Sequence, residues 1–242
     1  MKEIIVLISE AGLTSTVYYS FHILTILSVL FVATFYGKKI GVNWKKAILI
    51  VVVMYPLMDF WKRVLYWMES GFKVFGGENN VRIFVYVPIL GYFVAKMFKI
   101  EWRKMCDYLA PLVVLTQGVG HFGCIFSGCC HGYPCKWGLF NIQTGTYLFP
   151  IQPIEAVTAL VITWYLLANA KKRMYIPNGK QYWVMLILFG FTRFIWEFFR
   201  DNEKLWIGCS SLAFHALFMC IVGIIALIIV NRNENKLLKV SC

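Results

Sequence analysis

The sequence predicts an all-α polytopic membrane protein with seven transmembrane helices, its N-terminus outside and its C-terminus in the cytoplasm. Three observations predict this class. Of the 242 residues, 60% are hydrophobic and only 15% are charged, which is too little polar surface for a soluble domain of this size. Apolar segments recur at about the 20-residue length that crosses a bilayer. Lysines and arginines collect in alternate connecting segments, as the positive-inside rule requires.

A single integral membrane domain, residues 1–242, accounts for the whole chain, because no polar stretch is long enough for a separate soluble domain. The first residues do not form a secretory signal peptide, since the apolar run is short, acids flank it and no small-residue cleavage site follows. They predict a short interfacial helix. The chemistry of residues 71–77 predicts a loop and that of residues 177–179 a turn. The predicted spans are residues 17–36, 47–68, 82–97, 108–126, 153–170, 182–199 and 212–230.

The positions of the basic residues set the expected orientation. Most of the 24 lysines and arginines follow the first, third, fifth and seventh predicted spans, so these segments are expected to face the cytoplasm. The net charge of +12 then reflects this asymmetry and an attraction to anionic lipid head groups. Nucleic acid is not an expected partner, because the basic residues are spread over short loops. The segment after the fourth span is placed on the outer face.

Ionisable side chains within the spans predict an internal polar region. A charge at this depth costs a few kcal/mol even on a permissive insertion scale, so these residues imply either a polar cavity or tight structural ion pairs. Arginine binds phosphate through a planar two-pronged contact, which favours an anion site. Arg200, next to Asp201, is expected instead at an interfacial helix end. The residues are Asp59, Lys62, Arg63, Glu155, Arg193, Glu197 and Arg200.

A cluster of cysteines, histidines and glycines occupies residues 118–132, GVGHFGCIFSGCCHG. The cysteine spacing C-x4-C-C-x4-C differs from the common C-x2-C zinc motif, so no metal site is predicted. A disulfide of Cys135 with Cys129 or Cys130 is one alternative, because an oxidising outer compartment permits it. A thiol-redox site is another. The third is that these cysteines are small packing residues where helix backbones come close.

Five motifs together resemble those of the prolipoprotein diacylglyceryl transferase family. Residues 107–132, DYLAPLVVLTQGVGHFGCIFSGCCHG, are similar to the family signature in its Cys-Cys-aromatic-Gly version. FPIQPIEAV (149–157) and FGFTRFIWEFFRDNE (189–203) resemble two downstream family elements. KRVLYW (62–67) and FVYVPILG (84–91) fall where the family has two upstream elements. The order and spacing agree over roughly residues 17–230.

The resemblance implies an enzyme of the bacterial plasma (inner) membrane whose active site faces outward. Such an enzyme transfers a diacylglyceryl group from phosphatidylglycerol to the cysteine thiol of a lipobox-bearing preprotein, with no cofactor. The protein is expected to be a monomer. The implied catalytic residues are Arg193, His121 and Tyr86. The implied substrate-binding residues are Arg63, Tyr19, Gly132, Gln152, Glu155 and Glu197.

Several motif positions depart from the family pattern. His121 stands in place of an arginine, Cys124 in place of an asparagine and Tyr86 in place of a histidine. A histidine carries a positive charge only when it is protonated. The alternative is therefore a divergent paralogue on the same fold that binds a phospholipid, modifies a different thiol or is not catalytic. A transporter is a weaker alternative, because no internal repeat is visible.

Overall fold

A computed structural model describes residues 1–73, 80–202 and 210–240. These residues form nine helices and one two-stranded hairpin. The helices are α1 Lys2–Glu10, α2 Thr14–Lys39, α3 Trp44–Glu69, α4 Asn80–Ile83, α5 Val87–Phe98, α6 Trp102–Ser127, α7 Ile151–Lys172, α8 Gln181–Glu197 and α9 Ser211–Val240. The strands are β1 Pro134–Asn141 and β2 Thr146–Leu148.

The predicted class of a helical membrane protein is confirmed. Four helices among the described residues are long and apolar enough to cross a bilayer, namely α2, α6, α7 and the part of α9 over Ser211–Glu234. The other three predicted spans coincide with α3, with α5 and with α8. The third one is interrupted, because α4 ends at Ile83 and α5 begins only at Val87 with a proline in its first turn. Proline is favoured there because the N–H groups of the first helical turn form no hydrogen bond within the helix, so a missing N–H costs nothing.

Helix α6 lies at the centre of the bundle. Most of its residues from Met105 to Gly118 are buried, and it packs against α2, α5, α7 and α8. Glycines allow its neighbours to approach closely. A Cβ at Gly118 would lie 2.8 Å from Leu160 of α7, and a Cβ at Gly123 would lie 3.0 Å from Phe21 of α2. Small residues at such contacts are typical of membrane helix pairs.

The segment after α6 is a β-hairpin, which the all-α prediction missed. Strands β1 and β2 pair antiparallel, with Asn141 opposite Thr146. The Asn141 side chain accepts hydrogen bonds from the backbone N–H of Gln143 at 2.9 Å and of Thr144 at 3.1 Å. Gly145 has a φ of +66°. Side-chain hydrogen bonds to an asparagine, and a glycine in the left-handed conformation, are typical of tight turns. They stabilise the turn that joins the two strands.

The turn predicted at residues 177–179 is confirmed and is held by a buried acid. Asp107 of α6 accepts hydrogen bonds from the backbone N–H of Asn178 at 2.7 Å, of Gly179 at 3.0 Å and of Gln181 at 2.9 Å. The carboxylate thereby satisfies donors at the start of α8. The N-terminal helix is also present, as α1. The loop predicted at residues 71–77 lies mostly outside the described residues.

Candidate active site

A cavity of about 280 Å³ opens between α2, α3 and α6. Apolar side chains such as Val29, Ile50 and Phe84 line much of its wall. Its polar lining comes from Tyr18, His22, Asp59, Lys62, Gln117, His121 and the cysteines at positions 124, 129 and 130. A cavity that is apolar with a few convergent polar groups suits a ligand that has a polar head and a hydrophobic body.

A network of buried charges lies behind His121. The Glu155 carboxylate accepts hydrogen bonds from both Arg193 and Arg200. Arg193 Nη2 lies 3.1 Å from Glu197 Oε2, and Ser210 Oγ donates to Glu197 Oε1 at 2.7 Å. The four charged residues are 1–5% exposed. Their opposite charges compensate one another in an environment where an unpaired charge is costly.

Arg200 is part of this network, whereas the sequence placed it at an interfacial helix end. It is only 3% exposed, and its backbone forms an antiparallel bridge with Gly132. Burial by itself lowers the pKa of Arg200, but the Glu155 carboxylate outweighs that effect and raises the pKa above its usual value. The guanidinium therefore stays charged.

His121 connects the cavity to the charged network. Its side chain lines the cavity, and its Nδ1 lies 3.6 Å from Oε2 of Glu155. The two atoms are too far apart for a hydrogen bond, so Glu155 faces the imidazole without fixing its orientation, and the buried Nδ1 has no hydrogen-bond partner among the described residues. The structure thus brings together four residues that the resemblance implied, His121, Glu155, Arg193 and Glu197, and adds Arg200 to them.

Gln152 and Gly132 position the loop that closes one end of the cavity. Gln152 Nε2 donates a hydrogen bond to the backbone oxygen of Cys129 at 2.9 Å. A Cβ on Gly132 would lie 2.7 Å from the backbone oxygen of Phe199 and 2.8 Å from Cβ of Phe149. Only glycine fits such a close approach. Gln152 therefore holds the loop by its backbone oxygen, and Gly132 allows two backbone segments to approach closely.

Arg63 and Tyr19 lie beside residues that line the cavity. Arg63 Nε donates to Asp59 Oδ2 at 2.8 Å, and its side chain is 39% exposed. Its neighbour Lys62 lines the cavity, lies 2.7 Å from Asp59 Oδ1 and has a side chain only 12% exposed. Tyr19 is 64% exposed, while the cavity wall is formed by Tyr18 and His22.

Tyr86 lines a second cavity of about 260 Å³ and does not line the first cavity. This second cavity also contains Glu69, Arg82 and His215. Arg82 pairs with Glu69, and His215 Nε2 lies 3.2 Å from the same carboxylate. Tyr86 therefore lines a different cavity from His121, with which the resemblance groups it.

The loop cysteines are free thiols, with no disulfide among those that the structure describes. The sulfurs of Cys124, Cys129 and Cys130 lie within 4.8 Å of one another, while Cys135 starts the hairpin on β1. The disulfide considered for Cys135 is thus not formed. The fold instead groups Cys129 and Cys130 with Cys124, which lies on α6. Sequence spacing alone could not predict this grouping.

Comparison with known proteins places these features in one family. Residues 13–229 match the family model described as prolipoprotein diacylglyceryl transferase. The chain is 27% identical over 76% of its length to phosphatidylglycerol–prolipoprotein diacylglyceryl transferase of Clostridium tetani, of which the match covers 74%. It is 26% identical, over 76% of the chain and 73% of the relative, to transferase 2 of Clostridium perfringens. The transferase of Geobacter sulfurreducens is 28% identical over 69% of the chain and 64% of its own length. This chain belongs to the prolipoprotein diacylglyceryl transferase family.

Proposed function

We propose that this protein transfers a diacylglyceryl group from phosphatidylglycerol to the cysteine thiol of a prolipoprotein. The observation that carries the proposal is the contact of His121 with the buried Arg193–Glu155–Arg200 network at the wall of an amphiphilic cavity. The names of the relatives support the substrates, since each is called a phosphatidylglycerol–prolipoprotein diacylglyceryl transferase.

In the proposed reaction the acceptor thiol loses its proton to His121, and the thiolate attacks the glycerol carbon that carries the phosphate ester. A carbon–sulfur bond forms, the carbon–oxygen bond to phosphate breaks, and glycerol phosphate leaves with the electron pair. We assign this step to His121 because its imidazole lines the cavity and an imidazole is the usual general base. The thiolate, and not the thiol, is the nucleophile.

Charge on the departing phosphate grows as the bond breaks, and fixed positive groups stabilise it most in the transition state. Arg193 and Arg200 supply such charge from behind His121, with Glu155 and Glu197 holding their guanidinium groups in place. Lys62 lies on the cavity wall itself. We assign to it the direct contact with the lipid phosphate, a role that the resemblance gave to Arg63.

The proposal includes a seven-span arrangement with the N-terminus outside. Four helices meet the length and hydropathy requirement for a span, and we propose α3, α5 and α8 as the other three. The basic segments would then face the cytoplasm. The cavity end at residues 129–130 then opens at the outer leaflet of the plasma membrane. Alkaline phosphatase fused after Gly145 should be active in cells, and the same enzyme fused after Asn233 should be inactive. The reverse pattern would invert the orientation.

Lipid transfer to a lipobox peptide tests the function directly. Purified protein, phosphatidylglycerol and the peptide are incubated, and mass spectrometry follows the thioether product. The expected result is a peptide heavier by one diacylglyceryl group with wild-type protein and at least a hundredfold less product with Arg193→Ala. Arg232→Ala, an exposed arginine on α9, serves as the control and should match wild type. Equal activity of wild type and Arg193→Ala would remove the proposed role of the network.

The non-catalytic alternative makes a different prediction in the same experiment. A lipid-binding paralogue would bind phosphatidylglycerol but yield no modified peptide, even with wild-type protein. Expression in a strain depleted of its own transferase separates the two readings in cells. Growth and lipoprotein maturation are expected with wild type and not with Arg193→Ala.

A further inference from the structure

We propose that Cys124, Cys129 and Cys130 form a binding site for a soft, thiophilic metal ion, of the class of Cu(I) and Zn(II). Their three sulfurs lie within 4.8 Å of one another on the wall of the cavity. A metal–sulfur bond of about 2.3 Å places three sulfurs around one ion about 4 Å apart. With every pair of sulfurs 4.8 Å apart or less, the thiols lie close to the separation that one ion requires.

The chemistry of the donor set selects the class of ion. Thiolates favour Cu(I) and Zn(II), whereas carboxylate, carbonyl and water ligands suit Mg²⁺, Ca²⁺ and Mn²⁺. All three donors of this site are cysteine sulfurs, and all three are free thiols. Because the sulfurs line a cavity, a small exogenous ligand can complete the coordination of an ion that prefers four partners.

The backbone explains how adjacent cysteines reach the same point. In an extended chain, neighbouring side chains point to opposite sides, so adjacent cysteines reach one ion only where the backbone turns. Here α6 ends at Gly128 with a φ of +73°, and Cys130 has a φ of +58°. Two left-handed residues around Cys129 turn the chain back over the helix end. Cys129 and Cys130 thus come beside Cys124, in the last turn of α6.

Interactions around the three sulfurs hold them in this arrangement. Ser127 Oγ lies 3.1 Å from Cys129 Sγ, and Gln152 Nε2 holds the Cys129 backbone oxygen at 2.9 Å. A left-handed conformation at a residue other than glycine is uncommon, and at Cys130 it serves to aim the thiol.

Metal binding to the purified, reduced, full-length protein in detergent tests the site. Cu(I) is presented in competition with bicinchoninate, and Zn(II) in competition with a chromogenic chelator. One ion of either metal per chain is expected, with affinity at least a hundredfold lower in the Cys124→Ser/Cys129→Ser/Cys130→Ser variant. Cys135→Ser is the matched control, because this cysteine lies in the same outer segment but outside the group of three, and it should bind as wild type does. Unchanged binding in the triple variant, or no binding of either ion by wild type, overturns the proposal.

Protection from alkylation tests the site without any substitution, in case the triple variant fails to fold. Wild-type protein is treated with N-ethylmaleimide before and after one equivalent of Cu(I), and each cysteine is followed by peptide mass spectrometry. Modification of Cys129 and Cys130 should slow at least tenfold, while that of Cys135 stays the same. Equal protection of all three, or protection of none, contradicts the site. Neither measurement depends on lipid transfer, so the outcome is independent of the proposed activity.

Discussion

Nδ1 of His121 lies 3.6 Å from Oε2 of Glu155, and this contact joins the cavity to the buried arginines. The imidazole stands where the family resemblance has an arginine. An imidazole can accept a proton, a task that a permanently charged arginine cannot perform. The buried Arg193 and Arg200 lie behind it, paired with Glu155 and Glu197.

Replacement of His121 by asparagine should lower the rate of lipid transfer by about a hundredfold or more, the usual contribution of a general base. Phosphatidylglycerol binding should change much less, because Lys62, to which we assign the phosphate contact, remains on the cavity wall. His22→Asn is the matched control, since His22 lines the same cavity but contacts the ring of Tyr18, at 4.5 Å between centroids. Equal rate losses in the two variants would contradict the assignment of His121.

Glu155→Gln should destabilise the protein by about 3–5 kcal/mol, the typical cost of removing one partner from a buried ion pair. The substitution leaves both guanidinium groups without their shared carboxylate. Glu234→Gln breaks the exposed pair with Lys180, whose atoms lie 2.6 Å apart with side chains 26% and 31% exposed, and should cost about 1 kcal/mol or less. Thermal unfolding in detergent compares the two. Similar shifts in melting temperature would mean that the buried network does not stabilise the fold.

Lys62→Met should reduce lipid transfer by at least tenfold through weaker phosphatidylglycerol binding, seen as a higher KM for the lipid. Arg63→Met, one residue along the same helix, should have a small effect. The pair is well matched because each residue contacts Asp59, at 2.7 Å and 2.8 Å respectively. A larger loss with Arg63→Met would return the phosphate contact to the residue that the resemblance indicated.

Gly132→Ala should destabilise the outer loops by about 1–3 kcal/mol, as overpacking does, because its Cβ would meet backbone oxygen of Phe199 at 2.7 Å. Gly120→Ala is the control for stability. Its Cβ would lie 3.9 Å from the nearest atom, Oγ1 of Thr25, and alanine favours the helix. The melting temperature should fall in the first variant and hold or rise in the second. A drop of the same size in both would show that contact distance is not the cause.

Hydropathy was enough to find the helices of this chain. Six of the seven predicted spans coincide with one helix each, while the third is broken between α4 and α5. A long apolar segment in a bilayer must satisfy its backbone internally, which favours helices. The hairpin was missed, although Asn141 and Gly145 carried a turn signal of the kind that marks such structures. β2 has only three residues, and the cysteines near β1 directed the interpretation toward side-chain chemistry.

The site was harder to predict because it depends on contacts between distant parts of the chain. Arg200 pairs with Glu155, 45 residues away, whereas its neighbour Asp201 suggested an interfacial position. The choice between Lys62 and Arg63 depends on a rotation of about 100° around α3, which motif matching does not fix. The grouping of Cys124 with Cys129 and Cys130 required the left-handed turn at the end of α6.

Helix α6 carries Asp107 near one end and His121 near the other. The three backbone hydrogen bonds to Asp107 oppose a translation of α6 along its own axis. A shift by a single turn would displace His121 by about 5.4 Å and break all three bonds at the opposite end of the bundle. The helix thus sets a fixed distance between the turn held by Asp107 and the imidazole of His121. We therefore expect the imidazole to keep its position if the surrounding helices move to admit a lipid.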